Sequence, residues 1–183
     1  MNKQTLISGL FLAAITFTLG VVYVTEQQIL RLGANDPQIE LAEDFAAGFN
    51  AGADPQSLIK GNIDIGHSLA PFIIIYDLSG KPLATSGYLN QAIPVPPAGV
   101  FGYTAVHGQE RVTWQPQAGV RVATVINRSK AGFVLAGRSL REVEAREDLL
   151  LKQVACAWFA AVLMTIVIFL GLTMTNKKKK WFR

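Results

Sequence analysis

The chain has 183 residues, half of them apolar, a formal net charge of +4, two histidines and one cysteine. One thiol excludes an internal disulfide, and two histidines without clustered cysteines give no metal-ligand spacing and call for no cofactor. The charge is divided by position. Residues 25–153 carry eleven Lys/Arg against all thirteen acids, a net of −2, while the ends carry six cations and no acid. The basic balance therefore belongs to the tails and argues against a nucleic-acid-binding face.

Residues 1–5 form a short N-terminal segment with one cation, Lys3. Leu6–Val24 then runs without a charge, about the length a helix needs to cross a hydrocarbon core roughly 30 Å thick. A cleaved signal peptide is the alternative. Against it, the apolar run is longer than a usual h-region and no A-x-A-like site follows.

Residues 25–153 read as one water-soluble domain. Thr25–Leu32 keeps helical residues until Gly33 offers a stop. Asp36-Pro37 predicts an N-cap with proline in the first turn, and Ile39, Ala42, Phe45, Ala46 and Phe49 form the buried stripe of a helix near 37–50. Asp54-Pro55 repeats the start signal for a short helix over 55–60. The period then changes. Phe72–Tyr76 (FIIIY) has the continuous apolar, β-branched pattern of a strand buried on both faces. Asp77–Gly80 predicts a turn, and Pro82–Ser86 the returning strand of a hairpin. Residues 87–102, rich in Gly and Pro, predict a loop holding at most one short helix. Three antiparallel strands follow, Arg111–Gln115, Val120–Arg128 and Gly132–Gly137, joined by short turns. Ser139-Leu-Arg-Glu142 has the form of a capping box, and nothing breaks the helix it opens before Val154.

Val154–Met174 is a second uncharged, span-length run, and 175–183 is a basic tail with the Lys177–Lys180 cluster and Arg183. Cations beside spans stay on the cytoplasmic side. Both ends are therefore expected inside and the middle domain outside, in a two-pass protein of the cell membrane. Tyr23 and Trp158 would lie at the outer interface and Trp181 at the inner one. Cys156 falls at the outer end of the second span. Gly9/Ala13 and Ala157/Ala161 are small-xxx-small pairs that permit close helix association.

The order of these elements resembles the extracytoplasmic PAS-like (PDC or single Cache) sensor domains of bacterial receptors such as histidine kinases. The carriers are Phe72–Gly87 (FIIIYDLSGKPLATSG), similar to the first hairpin, and Val120–Glu147, similar to the last two strands and exit helix. Gly33–Ala47 is similar to the leading helix. The resemblance implies an α+β fold, a five-stranded antiparallel sheet with flanking helices between two transmembrane helices. It departs from the family in one respect. Only residues 175–183 follow the second span, with no room for an output domain, so signalling is expected to pass through a partner. The family's amino-acid-binding motif is also not met, since Arg111-Val-Thr-Trp114 has the wrong spacing.

If such a sheet binds a ligand between its face and the connecting loop, Phe101, Tyr103, Arg111, Trp114, Arg121 and Thr124 are the candidates, with arginine fixing a carboxylate. The competing reading makes Phe101 and Trp114 core and leaves both arginines solvated. A triad of His107 with Asp64 or Asp77 and a serine can be drawn, but no nucleophile motif supports it, and no enzyme activity is expected. Both histidines are expected in loops. Two functions remain open: a membrane sensor that binds a small molecule and acts through a partner or a second copy, and an accessory subunit whose domain docks onto another envelope protein.

Overall fold

A computed structural model describes the backbone of residues 3–181 and the side chains up to Met174. The side chains of Lys177–Lys180 and Trp181, and all of Arg183, lie outside the described residues. The chain divides into two compact units, Met1–Leu30 with Ala145–Arg183, and Arg31–Glu144.

The first unit holds the two apolar helices, parts of α1 (Lys3–Gly33) and α5 (Arg141–Trp181). Both helices are long and apolar enough to cross a membrane. Leu10, Phe17, Phe159, Leu163 and Val167 are exposed on them, as a hydrocarbon solvent would allow. Several of their threonine hydroxyls bond within their own helix. Thr16 and Thr18 donate to the carbonyls of Leu12 and Ala14 at 2.8 and 2.9 Å, and Thr165 to that of Ala161 at 2.7 Å. The Trp158 indole N–H donates to Thr16 Oγ1 at 2.9 Å, tying one helix to the other.

The second unit begins with α2 (Asp36–Asn50) and α3 (Pro55–Leu58). β1 (Ile63–Asp64), β2 (Phe72–Asp77), β3 (Pro82–Thr85) and β4 (Gly87–Tyr88) come next. After α4 (Ala98–His107) the chain forms β5 (Gln109–Gln117), β6 (Val120–Arg128) and β7 (Gly132–Ser139). The large sheet is antiparallel, in the order β3-β2-β7-β6-β5. The fold is thus α+β, a five-stranded antiparallel sheet with flanking helices.

Alternation along β2 divides the core. Phe72, Ile74 and Tyr76 join Val122, Ile126, Phe133, Leu135 and Phe101 on one face. Ile73 and Ile75 join Val125, Val134 and Ala136 on the other, under Ala42, Ala46 and Phe49 of α2. Both faces are buried, as the unbroken apolar run of β2 requires. Packing on β2 is close: a Cβ on Gly137 would lie 2.4 Å from the Phe72 ring, and one on Gly132 only 1.9 Å from the Tyr76 carbonyl oxygen.

Several boundaries differ from the sequence expectation. Residues 87–102 hold one helix, as the sequence allowed, but β4 opens the segment and α4 runs past its end, ten residues from Ala98 to His107. His107 is therefore helical. Asn35, not Asp36, precedes α2, and it caps with no side-chain bond. Ser139 ends β7, and its hydroxyl accepts the Arg141 N–H at 3.3 Å. Glu142 faces Arg138 at 3.9 Å. The Asp54 cap is as expected, its carboxylate accepting the Ser57 N–H at 3.1 Å.

Candidate functional site

The six residues expected to line a pocket do not meet in one place. The register pairs Val112 with Thr124 and Trp114 with Val122, so Trp114 and Thr124 share the face that carries Phe101. Arg111 pairs with Val125, on the opposite face. Phe101 is core: its ring packs edge-on against Tyr76 at 4.9 Å and against Phe133 at 5.1 Å. Trp114 packs beside the same cluster. Thr124 is fully buried and donates to the Val112 carbonyl at 2.8 Å. Tyr103 points away from the core, half exposed, and stacks on His107 at 3.9 Å. Arg111 is exposed and donates from Nε to Gln109 Oε1 at 3.2 Å. Arg121 forms an ion pair with Glu144 at 2.6 Å. The triad does not assemble around His107 either. Its Nδ1 lies 3.0 Å from the Tyr103 carbonyl, while Asp64 is 2.8 Å from His67.

A different place collects polar groups. Ile63 pairs with Gly87 and Asp64 with Tyr88, in parallel, to form a small second sheet. The backbone bonds are Ile63 N–H to Ser86 O at 2.7 Å and Ile65 N–H to Tyr88 O at 2.9 Å. Alternation explains which side chains face out. Ile63 and Ile65 pack on the core, which turns Asn62 and Asp64 to the opposite side. Asn62, Asp64, Tyr88, Asn90 and Gln91 line a cleft of about 610 Å³ there.

The wall of this cleft is a strained turn. Leu89 and Ala92 bridge, and between them Asn90 and Gln91 both take positive φ, 52° and 64°. Two successive non-glycine residues in this region cost backbone energy that the surroundings must hold in place. A cross-link contributes: Asn90 Nδ2 donates to Oε1 of Gln117, the last residue of β5, at 2.6 Å. On the floor, Asp64 Oδ1 accepts the Gly66 N–H at 2.9 Å and Oδ2 faces His67 Nδ1. The His67 bond, then the Gly66 N–H, hold the Asp64 carboxyl below its ordinary range. It is therefore a carboxylate, an acceptor only, at neutral pH. The cleft offers three carboxamides, a phenol and a carboxylate, and none of the described residues lining it is cationic.

The site is hard to see in the sequence because its strands are two residues long. One signal was present: the polar–apolar alternation of Asn62-Ile63-Asp64-Ile65. Among the described residues, no cluster of His, Cys, Asp and Glu could hold a metal ion. Comparison of the chain with family models, with curated proteins and with solved structures gave no match.

Proposed function

We propose that the chain is a membrane-anchored sensor whose PAS-like domain lies outside the cell membrane. The domain binds a small molecule in the Asp64–Tyr88 cleft and acts through a membrane partner or a second copy. The observation that carries this reading is α5. It begins two residues after β7, where Leu140 N–H bonds the Arg121 carbonyl at 2.9 Å and Arg121 pairs with Glu144. It then continues as one helix into a span-length apolar run. A helix is stiff along its axis, so displacement of its first turn is carried along it.

The test uses full-length protein in nanodiscs with a spin label on Cys156, the chain's one cysteine, which is exposed. A ligand that stabilises the domain should change the label's spectrum. One alanine inserted after Glu144, which rotates everything beyond it by about 100°, should alter that change. Stabilisation with no change at Cys156 in either protein would mean binding without transmission and would refute the sensor reading.

A second reading, an accessory subunit docking onto another envelope protein, is favoured by α4. Its outer side exposes Val106 and Tyr103, with 80% and 50% of their surface in solvent. Exposed apolar groups of this kind mark contact surfaces when they are contiguous.

A further inference from the structure

Resting on the sensor reading, we propose that the Asp64–Tyr88 cleft takes a neutral, polyhydroxylated ligand, a mono- or disaccharide. The expected arginine clamp is absent from the site, since Arg111 and Arg121 are engaged on the other face of the sheet. An organic acid or phosphate would meet the Asp64 carboxylate and find no cation among the described lining residues. His67 is not among the residues lining the cleft, and its ring is paired with Asp64 at 2.8 Å. A polyamine or other cation would meet one carboxylate and leave the amide N–H groups facing like donors.

Hydroxyl groups fit what is present. A hydroxyl both donates and accepts, and a carboxamide offers two N–H donors and a carbonyl acceptor. Asn62 and Gln91 can therefore each engage a pair of neighbouring hydroxyls, and Asn90, which gives one N–H to Gln117, keeps its second N–H and its carbonyl. Asp64 has spent one acceptor site on Gly66 and one on His67. A carboxylate has about four such sites, so two remain for donors from the ligand. Tyr88, half-buried beside Asp64, supplies a ring face for the C–H side of a sugar and a phenol at its edge. The volume of about 610 Å³ lies within the range of ligand pockets. The Asn90–Gln91 turn is already held in its strained form, so little ordering opposes binding.

The experiment is calorimetry and thermal unfolding of the full chain in nanodiscs against three sets of probes: neutral mono- and disaccharides, citrate, and spermidine. We expect a saccharide to bind and to raise the melting temperature. Asn62→Ala, at an exposed position with no bond in the fold to lose, should weaken binding by about tenfold, as loss of a ligand hydrogen bond does, at an unchanged melting temperature. Asp64→Asn, which keeps an acceptor for Gly66, should weaken it as well. Binding of citrate or spermidine in place of sugars overturns the ligand class and leaves the sensor reading standing. Sugar binding unaffected by both variants overturns the site. Binding of none of the three overturns the proposal and turns the function toward protein docking.

Discussion

Gln38 has no exposed surface, and neither its amide nitrogen nor its amide oxygen has a hydrogen-bond partner. It lies on α2 in line with Ala42, Ala46 and Phe49, the residues that pack on the sheet. A buried polar group without a partner costs about 1–3 kcal/mol, whereas an apolar side chain of the same shape carries no such cost. Gln38→Met should therefore raise stability by about 1–3 kcal/mol, read as a higher melting temperature of the full chain in nanodiscs. A lower one would show that the amide is satisfied in solution. The same residue marks a limit of sequence reading. Helical spacing placed Ile39 and Phe45 in the buried stripe, yet both are only partly buried, at its flanks. The helix is turned so that a glutamine takes a core position, and no pattern of apolar residues could announce that.

At the scale of elements, the β2–β3 hairpin is governed by its turn. Asp77 Oδ1 accepts the Ser79 N–H at 2.8 Å, the Ser79 hydroxyl at 2.6 Å and the Lys81 N–H at 2.9 Å, while Gly80 takes φ 81°. The Ser79 hydroxyl first, then the Lys81 N–H, hold the Asp77 carboxyl below its ordinary range. A carboxyl lowered in the folded state binds its proton less readily there than in the unfolded chain. Its contribution is thus complete above the ordinary pKa of about 3.9 and fades as pH falls through the lowered value. The Asp77→Asn variant should melt with a flatter acid limb than the parent below about pH 4, the two curves running parallel above it. Parallel curves throughout would show that the turn does not depend on the charge. Asp64 titrates in the same window and is unchanged in both proteins, so it cancels from the comparison.

This hairpin was legible because each of its parts has a local cause: a run buried on both faces, an Asx turn and a glycine at positive φ. The strands β5 to β7 were legible for the same reason, in their β-branched runs and short turns. Helix α4 was not. Gly99, Gly102 and the prolines before them lower helix propensity, and its formation is decided by tertiary contact, with Val100, Phe101 and Thr104 buried against the sheet. The cleft was illegible for a further reason. Its floor joins residues 62–64 to residue 88 through a two-residue parallel pairing, a contact that exists only once the rest of the fold is in place.

For the molecule as a whole, the arrangement of charge makes the strongest demand. Cations with no balancing acid lie beyond both span-length runs, at Lys3 and from Lys177 to Arg183, whereas residues 25–153 are net acidic. If α1 and α5 cross the membrane, the excess of cations keeps both ends inside and sends the sheet domain across. Lys130 gives a place to test this. It is exposed in the β6–β7 turn, and only its backbone N–H, donating to Asn50 Oδ1 at 2.8 Å, is used in the fold. Lys130→Cys in a Cys156→Ser background therefore offers one thiol on the domain without disturbing that bond. A membrane-impermeant maleimide should label it in right-side-out vesicles, and in inverted vesicles only after detergent is added. The reverse pattern would place the domain in the cytoplasm, where a cleft for an external ligand has no use, and the sensor reading would fall with the topology. Labelling from both sides without detergent would show that the chain is not fixed across the bilayer, and α1 and α5 would then have to bury their apolar surface against protein instead of lipid.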